Sequence, residues 1–162
     1  MSSGGTTVPG PGDGAPPLPN LQIVGQYIKD LSFENPGAPQ GLTQRPQIEF
    51  GIDVAAKRGD AQHFEVELKM RVHAKGEDRQ LFLLELAYAG LFRLQNIPEE
   101  AMQPVLLVQA PHMLFPFARR IIADVVRDGG MPPLMIEPID FVALYQAKMN
   151  QAMAQQQPAG TA

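Results

Sequence analysis

The strongest constraint on the fold is a regular alternation of apolar and polar residues between positions 64 and 73. Successive side chains of an extended strand point to opposite faces, so this pattern is typical of a strand with one face buried. Similar alternation occurs in two further runs, at 21–34 and 48–54, and a polar turn at 57–60 separates two of the runs. A fourth, mostly apolar run covers 82–94. The sequence therefore predicts four consecutive strands.

The fourth run differs from the others because both of its faces are apolar. Phe82 and Leu84 share one parity, and Leu81 and Leu83 share the other. A strand buried on two sides in so small a chain suggests that its second face meets another subunit or an apolar ligand. Consecutive strands joined by short turns further imply an antiparallel meander.

Downstream of the fourth run, the apolar spacing becomes that of helices. Pro98, Glu99 and Glu100 are typical of a helix start. A longer helix is expected within 111–130, ending at a glycine C-cap, and a last helix begins after the N-cap Asp140. The apolar stripe expected on the longer helix consists of Leu114, Phe117, Ile121, Val125 and Val126. Strands followed by helices indicate an α+β fold.

The composition is compatible with one folded domain, which we expect at residues 21–150. Hydrophobic residues make up 44% of the 162 residues and charged residues 19%, as in globular proteins. Residues 1–20 are rich in Gly and Pro with one charge, Asp13, and residues 151–162 are rich in Gln and Ala. Because such segments bury little apolar surface, both are expected to be flexible tails.

Charge and motifs exclude several classes of function. The net charge of −4 argues against nucleic acid and favours a basic partner. The chain has no cysteine, which excludes disulfides, thiolate catalysis and Cys-ligated zinc. With no phosphate loop, serine-hydrolase elbow, signal peptide or membrane span in the sequence, we expect a cytoplasmic protein that is not an enzyme, binds no cofactor and does not insert into a membrane.

One catalytic alternative stays open. His63, Glu65 and Glu67 alternate on one face of the third strand, and His73 follows at the same parity. Imidazole and carboxylate groups are common metal ligands. A solvated strand face is the simpler interpretation, which we favour, so no metal is expected.

Three acidic residues could form a surface if the fold brings them together. Asp30 and Glu34 share one face of the first strand, about 13 Å apart at the usual rise per residue. Glu85 lies in the otherwise apolar fourth run. Each carboxylate alone is explained by solubility, so their meaning depends on whether they converge.

Three stretches of the sequence resemble the SecB protein-export chaperones of bacteria. They are YIKDLSFENPGAP (27–39), FLLELAYAGLF (82–92) and APHMLFPFARRIIADVVRDGGMPPLMIEPIDFVALY (110–145). They occur in the family's order and spacing, and the resemblance covers nearly all of residues 21–150. It implies a four-stranded antiparallel sheet with C-terminal helices packed on one face, assembled as a homotetramer that is a dimer of dimers.

The resemblance also implies a function. A chaperone of this family is an ATP-independent holdase that binds unfolded precursor proteins, keeps them competent for translocation and delivers them to SecA, the export motor, whose basic C-terminal tail contains zinc. It implies SecA binding by Asp30, Glu34, Leu83 and Glu85. It implies client binding by Ile48, Phe50 and Ile52, and by Leu134, Phe141 and Tyr145. The sequence departs from better-known members at Tyr88, where a polar residue is common.

A different class of protein is the main alternative to a chaperone. The same apolar faces could serve only for self-assembly, in a structural or adaptor module. An adaptor should prefer one folded partner, whereas a holdase must accept many unfolded chains.

Overall fold

The computed structural model describes residues 16–156 as a four-stranded antiparallel sheet with helices on one face. The strands are β1 (Asn20–Glu34), β2 (Gln47–Arg58), β3 (His63–Lys75) and β4 (Gln80–Gln95). The helices are α1 (Glu99–Pro104), α2 (Ala110–Asp128) and α3 (Phe141–Gln156), and a π-helical segment, Val105–Gln109, joins the first two. The predicted α+β class is confirmed.

The two expected tails lie partly outside the described residues, which exclude 1–15 and 157–162. β1 begins at Asn20, next to the expected boundary of the domain. α3 continues to Gln156, beyond the boundary expected at residue 150. The Ala, Gln and Met residues of this last stretch are good helix formers, which explains the longer helix.

The antiparallel sheet is confirmed, but its topology is not the predicted simple meander. The strand order is β1-β4-β3-β2, so β1 pairs with β4 rather than with β2. The connection at 35–46, which contains a 3-10 turn (Gln40–Thr43), carries the chain across to the opposite edge of the sheet. This Greek-key order gives the apolar β4 a neighbour on both sides and leaves β1 and β2 as edge strands.

The sheet has a buried inner face, which carries the helices, and an outer face turned away from them. Val66 and Leu68 on β3 and Leu84 on β4 lie on the inner face and are 0% exposed. α2 lies close to β4 at Gly90, where an added Cβ would come within 2.8 Å of the Leu114 side chain. The predicted parity of β3 and β4 is therefore confirmed.

β1 has two register shifts that the sequence pattern does not reveal, after Ile23 and after Ile28. Each shift moves the alternation of side chains by one residue. Between the shifts, Tyr27 pairs with Ala89 on the outer face, although its parity predicts the inner face. The second shift restores the original alternation, so Asp30 lies on the outer face as expected.

The buried stripe of α2 differs from the predicted one. Leu114 and Val126 are buried as expected, but Phe117 is 45% exposed. α2 has two apolar stripes, and helical periodicity alone does not determine which stripe faces the sheet. The second stripe contains Phe117 with the half-buried Ile121 and Val125. The stripe that packs on the sheet consists of Leu114, Phe115, Ala118, Ile122 and Val126.

The helix ends follow the predicted caps. α1 begins directly after Pro98, and α2 is followed by Gly130, whose φ of 90° is left-handed. Asp140 caps α3, because its Oδ1 accepts a hydrogen bond of 3.0 Å from the amide of Ala143. Across residues 16–156, none of the helices combines the length and apolarity needed to span a membrane.

Candidate functional site

The outer face brings together the four residues expected to bind a basic partner. Glu34 pairs with Leu83 across β1 and β4, and Asp30 and Glu85 lie on the same two strands in neighbouring rows. We call these four residues the acidic surface. Among residues 16–156, no cationic side chain lies within the 4.0 Å ion-pair distance of the carboxylates of Asp30 or Glu34. Both carboxylates are exposed, so they are available to an external cation.

The carboxylates further along the outer face are paired within the chain. Lys29 Nζ donates a 2.8 Å hydrogen bond to Glu65 Oε1 and lies 3.6 Å from Glu67 Oε2. The Tyr27 hydroxyl donates to the other oxygen of Glu65. The hydrogen bonds from Lys29 and Tyr27 lower the pKa of Glu65, whereas burial and the Glu65 carboxylate raise the pKa of Tyr27 to about 12.

A shallow groove of about 530 Å³ crosses the outer face, and Asp30 and Glu85 of the acidic surface line it. Gly51 and Ala87 leave space at its base. Arg71 lies in this groove, with its Nε 3.5 Å from Glu85 Oε1. Arg71 was not among the predicted site residues, although its parity on β3 already predicts the outer face. The charged lining residues are Asp30, Asp53, Glu67, Lys69, Arg71 and Glu85.

The His and Glu side chains considered as possible metal ligands contact other residues of the chain. His63 Nδ1 lies 2.9 Å from Asp60 Oδ1, and Glu65 binds Lys29 and Tyr27 as described above. His73, at the far end of β3, lies 3.7 Å from Glu49. Within the part of the chain that the structure describes, no three His, Asp or Glu side chains group closely enough to hold a metal ion.

Ile48, Phe50 and Ile52 form a row on the inner face of β2. All three are half-buried and pack against the edge of the core. β2 is an edge strand, so one side of its backbone has no neighbouring strand in the sheet. We call these three residues the β2 row. It combines apolar side chains with open backbone groups, as β-strand addition of a peptide requires.

The other three residues expected to bind clients lie away from this row. Phe141 is 3% exposed and packs edge-on against Phe115, with ring centroids 6.0 Å apart. Tyr145 is half-buried and lines a groove of about 420 Å³ beside Phe64. Leu134 is half-buried in the segment 131–140 between α2 and α3. The structure therefore does not bring all six residues into one surface.

Tyr88, where the sequence departs from better-known relatives, lies on the inner face. It is 7% exposed, and its hydroxyl donates a 3.0 Å hydrogen bond to Gln26 Oε1. The acidic surface is on the opposite face of the sheet. Tyr88 therefore packs beneath the helices and away from the acidic surface.

Large apolar side chains are exposed on β1 and on α2, among other places. Val24, Ile28 and Leu31 on β1 are 53%, 47% and 39% exposed. On α2, Met113 and Phe117 are 36% and 45% exposed. Sequence patterning did not identify this exposure on β1, because the register shifts alter its alternation. We call these five residues the apolar edge.

This architecture is shared with a solved chaperone structure. A SecB-like chaperone of Mycobacterium tuberculosis, solved in complex with a peptide from an antitoxin, superposes with a TM-score of 0.63 at 18% sequence identity. The match covers 74% of this chain and 90% of that one. The chain thus has the fold of a SecB-like chaperone.

Sequence comparison identifies the family. The family model described as preprotein translocase subunit SecB matches residues 15–152. The chain is 52% identical to a protein-export protein SecB of Xanthobacter autotrophicus over 82% of this chain and 87% of that one. It is 47% identical to the one of Bradyrhizobium diazoefficiens over 100% of both. The chain belongs to the SecB family and is a protein-export chaperone. This family is not known as a family of enzymes.

The hydrogen bonds from Lys29 and Tyr27 to Glu65 lead to a testable prediction about the pKa of Glu65. Replacing Lys29 by Met or Tyr27 by Phe removes one hydrogen bond that stabilises its charged form, so its pKa should rise in both variants. The rise should be larger for Lys29→Met, because the Lys29 hydrogen bond is the larger cause of the lowered pKa. Carboxyl-carbon NMR titration would measure it. An unchanged Glu65 pKa in both variants would contradict this pairing.

Proposed function

We propose that this chaperone is a cytoplasmic, ATP-independent holdase that binds unfolded precursor proteins and delivers them to SecA. The observation that carries the proposal is the difference between the two faces of one sheet. The β2 row is apolar and lies on the inner face, whereas the acidic surface lies on the outer face. Two chemically different partners can therefore contact the same sheet without competing for the same residues.

The β2 row suits an unfolded client. An unfolded chain offers apolar side chains and unpaired amides in no fixed order, so its binding site needs apolar contact and backbone groups more than precise polar ones. Tyr145 and Leu134 could extend this contact, because both are partly accessible. Phe141 belongs to the core in the isolated chain and would need a rearrangement to contact a client.

α3 is tied to the end of the β2 row. Lys148 Nζ donates hydrogen bonds of 2.8 Å to the Val54 carbonyl and 3.2 Å to Asp53 Oδ1. Tyr145 lies on α3 one turn before Lys148. The contacts of Lys148 therefore hold Tyr145 beside the end of β2. The arrangement supports a client path that runs from the β2 row towards α3.

The acidic surface suits the basic tail of SecA. Asp30 and Glu34 are exposed carboxylates, and Leu83 on β4, which pairs with Glu34, adds apolar contact. Coulomb attraction accelerates the encounter of oppositely charged surfaces and fixes their orientation. The zinc in this interaction belongs to SecA, and SecA also supplies the ATP hydrolysis that the holdase does not need.

The apolar edge supports assembly into a homotetramer, a dimer of dimers. Exposed apolar surface is costly in water and commonly marks an interface between subunits. β1 is also an edge strand, which can pair with the same strand of a second copy. The structural or adaptor alternative shares this assembly but predicts no binding of unrelated unfolded chains.

We predict that a stoichiometric amount of this protein suppresses aggregation of a refolding precursor without nucleotide. Replacing Phe50 or Ile48 by Ser should weaken client binding about ten- to 150-fold, because each loses roughly 1.5–3 kcal/mol of apolar contact. Light scattering would measure the suppression of aggregation, and fluorescence titration would measure the affinity for the client. Leu18→Ser is the matched control, because Leu18 is 83% exposed and precedes β1. Folded Ser variants that bind clients like the native chain would refute the β2 row as the site.

We predict that Asp30→Lys combined with Glu34→Lys weakens SecA binding about tenfold or more, because attraction becomes repulsion at two exposed positions. Client binding should be nearly unchanged. Glu100→Lys with Glu137→Lys makes the same change in net charge at exposed positions outside the sheet and should affect SecA binding little. Calorimetry with SecA would measure this. Equal affinities for the native chain and the Asp30/Glu34 variant would contradict the assignment of the acidic surface.

A further inference from the structure

Arg71 places a positive charge beside the acidic surface. It pairs directly with Glu85 in the register of β3 and β4, and its Nε lies 3.5 Å from Glu85 Oε1. The side chains of Arg71 and Glu85 are 64% and 49% exposed. Asp30 and Glu34 have no such neighbour among residues 16–156. Glu85 is therefore the one carboxylate of the acidic surface that already contacts a cation of the described chain.

This contact is looser than the two shortest ion pairs of the outer face. Lys29 lies 2.8 Å from Glu65, and Lys75 lies 2.9 Å from Glu49. An arginine can bind a carboxylate through two nitrogens at once, but Arg71 approaches Glu85 through Nε at a longer distance. Exposed pairs of this kind contribute about 0–1 kcal/mol, so a competing cation can displace Arg71 at little cost.

The structure also provides a place for the displaced side chain. Arg71 pairs on its other side with Gly51 of β2. A Cβ added at Gly51 would have no heavy atom within 4 Å, so the surface above this residue is open space. This space belongs to the groove of about 530 Å³ that Arg71 already lines. Arg71 can thus turn from Glu85 towards Gly51 without moving the backbone.

We propose that Arg71 is an internal competitor of SecA for Glu85, an inference that rests on the proposed function. In the free chaperone, Arg71 neutralises Glu85. When the basic tail of SecA docks, a cation of the tail takes the place of Arg71, which moves over Gly51. The competition weakens the complex and allows the chaperone to leave SecA after the client is transferred.

The test is calorimetric titration with the zinc-loaded C-terminal tail of SecA. Arg71→Thr should tighten binding about two- to fivefold, the effect of losing one exposed competing charge. Arg71→Glu should tighten it further and make it more sensitive to salt. Unchanged or weaker binding by both variants would overturn the proposal.

Lys57→Thr is the matched control because it removes the same charge from the outer face of β2. Lys57 pairs with Glu65, which pairs with Leu91, six positions from Glu85 along β4. At the usual rise per residue this is about 20 Å, twice the screening length at ordinary salt. Lys57→Thr should therefore leave the affinity within about a factor of two.

A second substitution tests the movement itself. Gly51→Val fills the space over Gly51, so it should weaken tail binding in the native background but have no effect beside Arg71→Thr. An equal effect of Gly51→Val in both backgrounds would show that Arg71 does not move there. A different result would show that the proposed SecA docking itself is wrong. In that case the double variant Asp30→Lys, Glu34→Lys would bind the tail as tightly as the native chain. If that variant binds weakly but Arg71→Thr behaves like the native chain, only the competition is wrong.

Discussion

The burial of β4 between two neighbouring strands is the interaction on which the rest of the structure depends. Its inner face is covered by α2, and both of its edges are paired, with β1 on one side and β3 on the other. Because β1 must pair with β4, Glu34 is placed next to Leu83, and Asp30 next to the row of Glu85. The same pairing leaves β2 at the other edge of the sheet. Both candidate surfaces thus follow from the position of one apolar strand.

Much of the fold could be predicted from local pattern. The inner positions of β3 and β4 alternate without interruption, so Leu68 and Leu84 were correctly predicted to be buried. The errors arise where long-range packing overrides that pattern. The first register shift in β1 turns Tyr27 to the outer face, and the second apolar stripe of α2 leaves Phe117 exposed. The strand order depends on which edge of β4 is free, which no local turn signal specifies.

The functional surfaces were less predictable than the fold. The residues of the acidic surface came from resemblance to a family, and their convergence depends on the pairing of β1 with β4. Arg71 could have been identified by parity alone, but its contact with Glu85 depends on the register of two strands. Phe141 was expected to contact clients only from the same resemblance, and packing against Phe115 buries it. Alternation predicts the face of a residue, whereas only the register identifies its neighbours.

The central claim is that clients and SecA use opposite faces of one sheet. It is tested most directly by titrating the zinc-loaded SecA tail into the chaperone with and without a saturating unfolded precursor, while light scattering monitors the mass of the complex. We predict a ternary complex in which the tail binds with an affinity within about twofold of that for the empty chaperone. Loss of tail binding when the client is bound, with no ternary complex formed, would contradict it.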